Sequence, residues 1–326
     1  MIDIANIKNN PALLEGSRVV VFGGTGFIGS HLIDALLSLN CSVLIAARSY
    51  PGLVSPDKLN HPSLHFQIVD ITNAELVDNV LQGIDIVFHL ASGSLPQSSN
   101  DSPKDDVSIN LQGSLNILNS CVNNNVKKFV FLSSGGTVYG IPKHVPITEN
   151  HSTEPICSYG ITKLAIEKYI ALYRYHHHLD CVILRLANPY GERQRLKATQ
   201  GVVPVFISCA LADQPLYIWG DGSVVRDFLH VSDVVQAILK SCNYHGSEYI
   251  FNVGSGSGMS LLDLVKTIED IHDFPLRIIF QEARTFDVPT NVLSIELAKR
   301  HLNWAPQIPA TEGLTLFYRY LKSFNQ

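Results

Sequence analysis

The sequence has 326 residues, of which 46% are hydrophobic and 16% are charged. This composition excludes disordered, collagen-like and coiled-coil proteins, and the length indicates about two domains. With 24 basic and 29 acidic residues the formal net charge is −5, so nucleic acid is not an expected partner.

Three features of the sequence indicate a cytoplasmic protein with no membrane partner. The longest apolar stretch, residues 201–212, contains a proline and is shorter than the roughly 20 residues that span a bilayer. The polar leader, residues 1–16, lacks the continuous apolar run of a secretion signal. The 6 cysteines lie far apart without a C-x-x-C pair, as expected of reduced thiols.

Short β-branched runs alternate with helical patterns through the first half of the chain. The runs predicted to be buried parallel strands are residues 18–22, 42–46, 64–69, 85–90, 128–133 and 181–186. Segments with helical spacing, such as residues 30–39 and 110–123, lie between them. The pattern predicts an α/β fold with a Rossmann-like doubly wound parallel sheet.

The alternation of strand and helix patterns ends after Leu186. Beyond it the sequence predicts a smaller C-terminal lobe with a strand at 216–219 and a helix beginning near Ser232. Residues 249–253 resemble a further buried strand that returns to the main sheet. The predicted division is a leader of residues 1–16, a dinucleotide-binding domain of residues 17–188 plus 231–253, and a substrate-binding lobe of residues 189–230 plus 254–326.

Three other segments have structural interpretations. The glycine-rich turn at 254–258 precedes Ser260 and Asp263, whose spacing is that of a capping box. The three histidines at 176–178 point in different directions on a helix and have no acidic or cysteine partner at ligand spacing, so no metal site is predicted. The polar loop 92–106 is typical of a mobile flap beside a site.

The segment GGTGFIG at 23–29 follows the first predicted strand and opens a helix. In such a turn Gly23 permits the tight bend, Gly26 allows the backbone to approach a pyrophosphate, and Gly29 lets helix and strand pack closely. The segment therefore predicts a dinucleotide site.

The end of the second predicted strand bears on the choice between NAD and NADP. An acidic residue there would bind the adenosine ribose of NAD, but this chain has Ala47 and Arg48. Arg48 could neutralise the 2′-phosphate of NADP, or stack on adenine and leave NAD as the cofactor. Asp70 and Ile71 after the third strand could hold the adenine edge, although Asp70 could instead cap the next helix.

Tyr159 and Lys163 lie four residues apart at the start of a predicted helix, and hence on one face of it. An ammonium beside a phenol favours the phenolate, so we expect the pKa of Tyr159 to lie below its usual range. Such a tyrosine can act as acid and base for a hydroxyl that is oxidised beside a nicotinamide.

From about residue 17 onward, the sequence resembles the extended short-chain dehydrogenases/reductases of the NAD-dependent epimerase/dehydratase family, in particular the UDP-galactose (UDP-glucose) 4-epimerases. The matching segments are GGTGFIGSHL at 23–32, HLAS at 89–92, INLQGSLNIL at 109–118, FLSSGGTVYG at 131–140, SYGITK at 158–163, LRLANPYG at 184–191, RDFLHVSDVV at 226–235 and LNWAP at 302–306.

The resemblance implies roles for individual residues, NAD as cofactor, a nucleotide-sugar substrate and a homodimer. The expected cofactor-binding residues are Gly23, Gly26, Phe27, Ile28, Gly29, Arg48, Asp70, Ile71, Leu90, Ala91, Ser92, Asn110, Tyr159 and Lys163. The expected substrate-binding residues are Asn188, Val202, Tyr217, Trp219, Arg226 and Arg284. Arginines at the last two positions suit a diphosphate.

The chain departs from the family pattern at its catalytic tripeptide. The family's catalytic Ser or Thr falls on Gly135, so Ser134, Thr137 or water must take its place. The same tripeptide carries Asp or Glu groups in the 4,6-dehydratases, whereas here it reads Gly135-Gly136-Thr137, which disfavours dehydration. The lysine that many UDP-galactose epimerases have after the HLA segment is absent, with Ser92 in that region.

Three hypotheses follow. The first is an NDP-sugar 4-epimerase, with a UDP-hexose as substrate, that acts through a transient 4-keto sugar and a bound nicotinamide cofactor. The second is an NADPH-dependent NDP-4-keto-sugar reductase, which Arg48 would suit. The third is a catalytically weak nucleotide-binding or sensing protein, suggested by Gly135.

Overall fold

A seven-stranded parallel sheet forms the centre of the structure, a computed structural model that describes residues 14–94, 96–194, 201–283 and 288–324. Its strands are β1 (Arg18–Phe22), β2 (Ser42–Ala47), β3 (Leu64–Ile68), β4 (Ile86–His89), β5 (Lys128–Ser134), β6 (Cys181–Leu186) and β11 (Ile250–Val253). Their order across the sheet is β11-β6-β5-β4-β1-β2-β3. Val19 of β1 is paired with Val43 on one side and Ile86 on the other, so the central strands are in close register.

Helices cover both faces of this sheet because its strands are apolar on both sides. One face packs α1 (Phe27–Ser38), α8 (Val231–Cys242) and α10 (Glu296–Leu302). The other packs α2 (Ala74–Leu81), α5 (Gly113–Asn123) and α6 (Ser158–His177). Two short helices, α3 (Pro96–Asp101) and α4 (Pro103–Asp106), and a π-helical turn (Val107–Gln112) precede α5. In the described ranges, no helix combines the length and apolar character needed to cross a membrane.

The C-terminal lobe has its own apolar core, which includes Phe206, Leu264 and Phe317. Its helices are α7 (Val202–Leu211), α9 (Leu261–His272) and α11 (Ala310–Lys322). The lobe has two sheets of two strands, β7 (Asn188–Tyr190) with β10 (Phe228–His230) and β8 (Leu216–Trp219) with β13 (Ile278–Gln281). It also has one sheet of three strands, β9 (Val225–Arg226), β12 (Met259–Ser260) and β14 (Thr290–Asn291).

The predicted fold class is confirmed, and the predicted strands lie within one or two residues of the observed ones. The returning strand is also confirmed, since β11 pairs with β6 in the main sheet. The capping box is present, because the amide of Asp263 donates to Ser260 Oγ at 3.0 Å. The predicted flap contains α3 and α4 rather than an irregular loop.

Two segments pack differently from the predicted division of the chain. The helix α10 lies in the predicted lobe, yet Ala298, Leu302 and Trp304 are buried in the core cluster of the main sheet. Leu14, in the predicted leader, is buried in the same cluster and its carbonyl accepts a hydrogen bond from Cys41 Sγ at 3.0 Å. We therefore propose that both segments belong with the dinucleotide-binding domain.

A buried ion pair joins the sheet to α6. Arg185 Nη2 lies 2.6 Å from Glu167 Oε2, and the two side chains are 3% and 2% exposed. We expect Glu167→Ala to lower the free energy of unfolding by about 3–5 kcal/mol, because it leaves a buried guanidinium without its carboxylate. Denaturant unfolding measures this. The control is Lys299→Ala, which removes an exposed pair with Glu296 and should change stability little; equal effects of the two substitutions would contradict the prediction.

Candidate active site

The turn between β1 and α1 is built for close approach of a ligand to the backbone. Gly23 has a φ of +85°, and a Cβ on it would lie 2.8 Å from the amide nitrogen of Ala91. A Cβ on Gly29 would lie 2.3 Å from the carbonyl oxygen of Gly23. Gly26 is the N-cap of α1 and has no side chain to occupy the first amides. This turn therefore fits the pyrophosphate of a dinucleotide.

Three cavities follow one another along the carboxyl edge of the sheet. An outer cavity of about 310 Å³ adjoins a central cavity of about 470 Å³, and the two share Gly23, Gly26, Leu90 and Ser92. A lobe cavity of about 200 Å³ adjoins the central one, and these two share Asn188, Pro189, Gln194 and Gly201. Because neighbouring cavities share lining residues, the three form one continuous cleft.

The structure brings most of the residues singled out in the sequence to these cavities. The outer cavity is lined by Gly23, Gly26, Arg48, Asp70, Ile71, Leu90, Ala91 and Ser92. The central cavity adds Phe27, Ile28, Gly29, Ser134, Thr137, Tyr159, Lys163 and Asn188. The lobe cavity is lined by Asn188, Val202 and Arg226.

Three of the expected residues line none of these cavities. Asn110 is buried behind the outer cavity, where its Oδ1 accepts a hydrogen bond from the amide of Gly93 at 2.8 Å. The side chains of Tyr217 and Trp219 are 46% and 39% exposed and line none of the three cavities. Arg284 lies outside the described residues.

Asp70 is held at the outer cavity by its own turn. Its Oδ1 accepts hydrogen bonds from the amide and the hydroxyl of Thr72 at 2.9 and 2.8 Å. These bonds, with a smaller contribution from the charge of Arg48, lower the pKa of Asp70. The alternative that Asp70 caps α2 is wrong, because the cap is Asn73, whose Oδ1 accepts from the amide of Leu76.

Tyr159 and Lys163 lie together in the central cavity as expected, but their electrostatics differ from the sequence prediction. Lys163 Nζ donates to the carbonyl of Leu132 at 2.9 Å and lies 5.6 Å from the centroid of the Tyr159 ring. Burial raises the pKa of Tyr159 to about 12, against a hydrogen bond with Ser92 that lowers it. Burial also lowers the pKa of Lys163 to about 8. The expectation that the pKa of Tyr159 lies below its usual range is therefore wrong in this structure.

Gly135 packs against Leu293. A Cβ there would lie 2.6 Å from Leu293 Cδ1 and 3.2 Å from the carbonyl oxygen of Arg185, so a larger residue would require Leu293 to move. Ser134 and Thr137 both line the central cavity. The hydroxyl of Thr137 is buried and has no hydrogen-bond partner in the described part of the chain. Of the substitutes that the sequence left open, the geometry favours Thr137.

Three polar residues near the site were missed in the sequence. Asp106 is buried and lies four residues before Asn110, and Glu167 is buried four residues after Lys163. That spacing places each pair on one helical face and could have drawn attention to them. Gln194 lines the central and lobe cavities, and its buried Oε1 is without a hydrogen-bond partner in the described ranges. No pattern in the sequence indicated it.

Comparison with known proteins assigns the chain to a family. The sequence profile described as the NAD dependent epimerase/dehydratase family matches residues 19–254, well over half of the chain. The chain belongs to the NAD dependent epimerase/dehydratase family. The part matched by the epimerase/dehydratase profile extends from β1 to β11 and includes the glycine turn, Tyr159 and Lys163.

Relatives within the epimerase/dehydratase family cover nearly the whole chain. A UDP-glucose 4-epimerase of Mycolicibacterium smegmatis is 32% identical over 95% of this chain and 100% of its own length. A dTDP-4-dehydro-6-deoxyglucose reductase of Escherichia coli is 31% identical over 91% of this chain and 95% of its own. The crystal structure of a Thermotoga maritima UDP-glucose 4-epimerase with UDP-glucose has a TM-score of 0.90 and 33% identity, and covers 95% of this chain and 100% of that one.

Among the described residues, no group of three or more His, Cys, Asp or Glu side chains is arranged to hold a metal ion. The polar side chains of the central cavity instead carry a phenol, an amine, hydroxyls and the amides of Asn188 and Gln194. Such groups are suited to proton transfer and to hydrogen bonding with a sugar.

Proposed function

We propose that this chain is a UDP-hexose 4-epimerase that uses NAD and a transient 4-keto sugar. The observation that supports this best is the position of Tyr159, Lys163 and Thr137 in the central cavity, between the glycine-lined outer cavity and the lobe cavity. The UDP-glucose 4-epimerases among its relatives support the choice of UDP and of position C4.

The order of the cavities suggests how the two ligands lie. The outer cavity, with Arg48 and Asp70, would take the adenosine of NAD, and the turn at 23–29 its pyrophosphate. The lobe cavity, with Val202 and Arg226, would take the uridine diphosphate. The nicotinamide and the hexose then meet in the central cavity. Arg284 stays a proposed second diphosphate ligand on the resemblance alone.

The chemistry needs one hydride acceptor and one proton acceptor. Bound NAD⁺ supplies the hydride acceptor and a positive charge that favours a nearby phenolate. With its phenol ionised, Tyr159 would take the proton of the C4 hydroxyl as the C4–H bond breaks, and Thr137 would hydrogen-bond the C4 oxygen. Tyr159 would give that proton back when the hydride is returned to the opposite face of the 4-keto sugar. The sugar is inverted at C4 with no net oxidation.

The role of Thr137 can be tested by substitution. We expect Thr137→Val to lower kcat about 10- to 100-fold, because a hydrogen bond to developing charge is lost. Thr137→Ser keeps the hydroxyl and should stay near the wild-type rate. Initial rates of C4-epimer formation measure both variants. A Val variant as fast as the wild type would assign the role to Ser134 or to water.

Incubation with a panel of UDP- and dTDP-hexoses tests the proposed function as a whole. We expect formation of the C4 epimer without added cofactor. Mass spectrometry of the small molecules released on denaturation should show NAD. Wild-type protein with bound NAD that converts none of these sugars would contradict the epimerase and favour the nucleotide-sensing hypothesis.

A 4-keto-sugar reductase is the second candidate. The exposed Arg48 at the outer cavity suits the 2′-phosphate of NADP, and one relative is a dTDP-4-dehydro-6-deoxyglucose reductase. A reductase would consume added NADPH in step with a 4-keto sugar. An epimerase would consume none.

We also propose that the protein functions in a reducing compartment such as the cytoplasm, because its 6 cysteines are unpaired.

We further propose that the protein is a homodimer. The exposed side of α6 has an apolar stripe of Ile161, Tyr169 and Leu172, of which Ile161 is 56% and Leu172 47% exposed. The double substitution Ile161→Lys and Leu172→Glu should convert a dimer into a monomer in light scattering after gel filtration. Wild-type protein that is already monomeric would contradict the proposal.

A further inference from the structure

The first turn of α6, which contains Tyr159, is capped by a distant segment of the chain. The amide of Ser158 donates to Asn100 Oδ1 at 2.9 Å, and the amide of Tyr159 donates to Ser99 Oγ at 3.0 Å. Both acceptors belong to α3. Amides in the first turn of a helix have no partner within the helix, so α3 supplies acceptors that α6 needs.

The carboxylate of Asp106 fixes the same turn from a second direction. Asp106 is 1% exposed and lies at the end of α4. Its Oδ2 accepts hydrogen bonds from the hydroxyls of Ser158 at 3.1 Å and Thr162 at 2.5 Å. These two residues lie one before and three after Tyr159, so the carboxylate contacts α6 on both sides of the tyrosine along the helix.

The other oxygen of Asp106 is linked, through Asn110, to the wall of the outer cavity. Its Oδ1 accepts hydrogen bonds from Asn110 Nδ2 at 2.8 Å and from the hydroxyl of Ser94. Asn110 in turn accepts from the amide of Gly93, which lines the outer cavity. One buried carboxylate thus joins the tyrosine helix to the wall expected to hold the cofactor.

We propose that Asp106 is a positioning residue for the epimerisation. It fixes the first turn of α6, and with it the phenol of Tyr159, relative to residues 92–94 at the outer cavity. The proposal rests on the proposed function. Asp106 touches no reacting atom in this account. Displacement of a catalytic group by about 1 Å costs on the order of a hundred-fold in rate, which sets the size of the expected effect.

Asp106→Asn is the test, because the amide has one acceptor oxygen where the carboxylate has two: its nitrogen must face either Ser158 and Thr162 or Asn110 and Ser94, all of which donate to the carboxylate. We expect kcat to fall about 10- to 100-fold, while the KM for the UDP-hexose and the amount of bound NAD stay close to wild type. The control is Asp233→Asn. Asp233 is also buried and accepts two backbone amides, from Gln307 and Ile308, but it lies outside the three cavities. The Asp233→Asn variant should be less stable than the wild type and should keep the wild-type kcat.

Equal kcat in wild type and Asp106→Asn, or equal losses in the two Asn variants, would overturn the proposal. Two further variants test the proposal if Asp106→Asn does not fold. Ser158→Ala and Thr162→Val each remove one donor to the carboxylate and should lower kcat without a change in KM. An unchanged kcat in both variants would also overturn the proposal.

Hydrogen exchange of the amides at 158–163 adds a readout that needs no activity. Faster exchange in the Asp106 variant is expected, and unchanged exchange would contradict the proposal even if the wild type is no epimerase.

Discussion

Tyr159→Phe should lower the kcat for C4 epimerisation by about a thousand-fold and leave the KM for the UDP-hexose nearly unchanged. The phenol lies in the central cavity beside Lys163, and phenylalanine keeps the ring while it removes the group that exchanges a proton with the sugar. All the other residues that line the three cavities are unchanged, so the loss should be mainly in kcat. Initial rates at saturating substrate measure it.

A second tyrosine of α6 provides the control for this substitution. The hydroxyl of Tyr173 donates to Asn119 on the protein surface, far along the helix from the cavity. Tyr173→Phe also removes one hydroxyl and one hydrogen bond, and we expect it to retain wild-type kcat. If Tyr159→Phe and wild type convert the sugar at the same rate, Tyr159 is not the acid and base.

Gly29→Ala should abolish the co-purification of dinucleotide. The added Cβ would lie 2.3 Å from the carbonyl oxygen of Gly23 and 2.7 Å from Gly24 Cα. Both contacts are with backbone, so the turn must move away from the shape that fits a pyrophosphate. We expect affinity for NAD to fall at least about a hundred-fold, as a few kcal/mol of clash would cause.

Gly16→Ala is the matched control for the glycine turn. Gly16 has a φ of +73°, but a Cβ there meets nothing within 4 Å, so the substitution strains the backbone without a clash. It should cost some stability and leave the NAD content unchanged. Mass spectrometry of the released dinucleotide measures both variants. Equal NAD content in Gly29→Ala and wild type would contradict the assignment of this turn.

The parts of the fold that local sequence determines were predicted well. The strands of the main sheet are buried on both faces, so they are continuous apolar runs, and a glycine turn between β1 and α1 is recognisable from its spacing. The N-cap residue of α2, by contrast, could not be identified from the local sequence. Asp70 and Asn73 are both good cap residues three positions apart, and only the observed bond to Leu76 decides for Asn73.

Features that depend on distant contacts were not predictable. The pKa of Tyr159 is raised by burial, which results from packing around the whole cavity. The sequence shows that Gly135 lacks a hydroxyl, but its contact with Leu293, which lies 158 residues further along the chain, is visible only in the structure. Asp106 looked like part of a mobile flap because its partner Ser158 lies 52 residues away.

In the proposed reaction, the hydride that leaves C4 of the sugar returns to the same carbon. A UDP-hexose with deuterium at C4, incubated with the protein and no added cofactor, tests this by NMR. We expect a mixture of the two C4 epimers with deuterium retained at C4. Epimers that have lost the label to solvent, or no epimer while the protein oxidises NADPH with a 4-keto sugar, would contradict it.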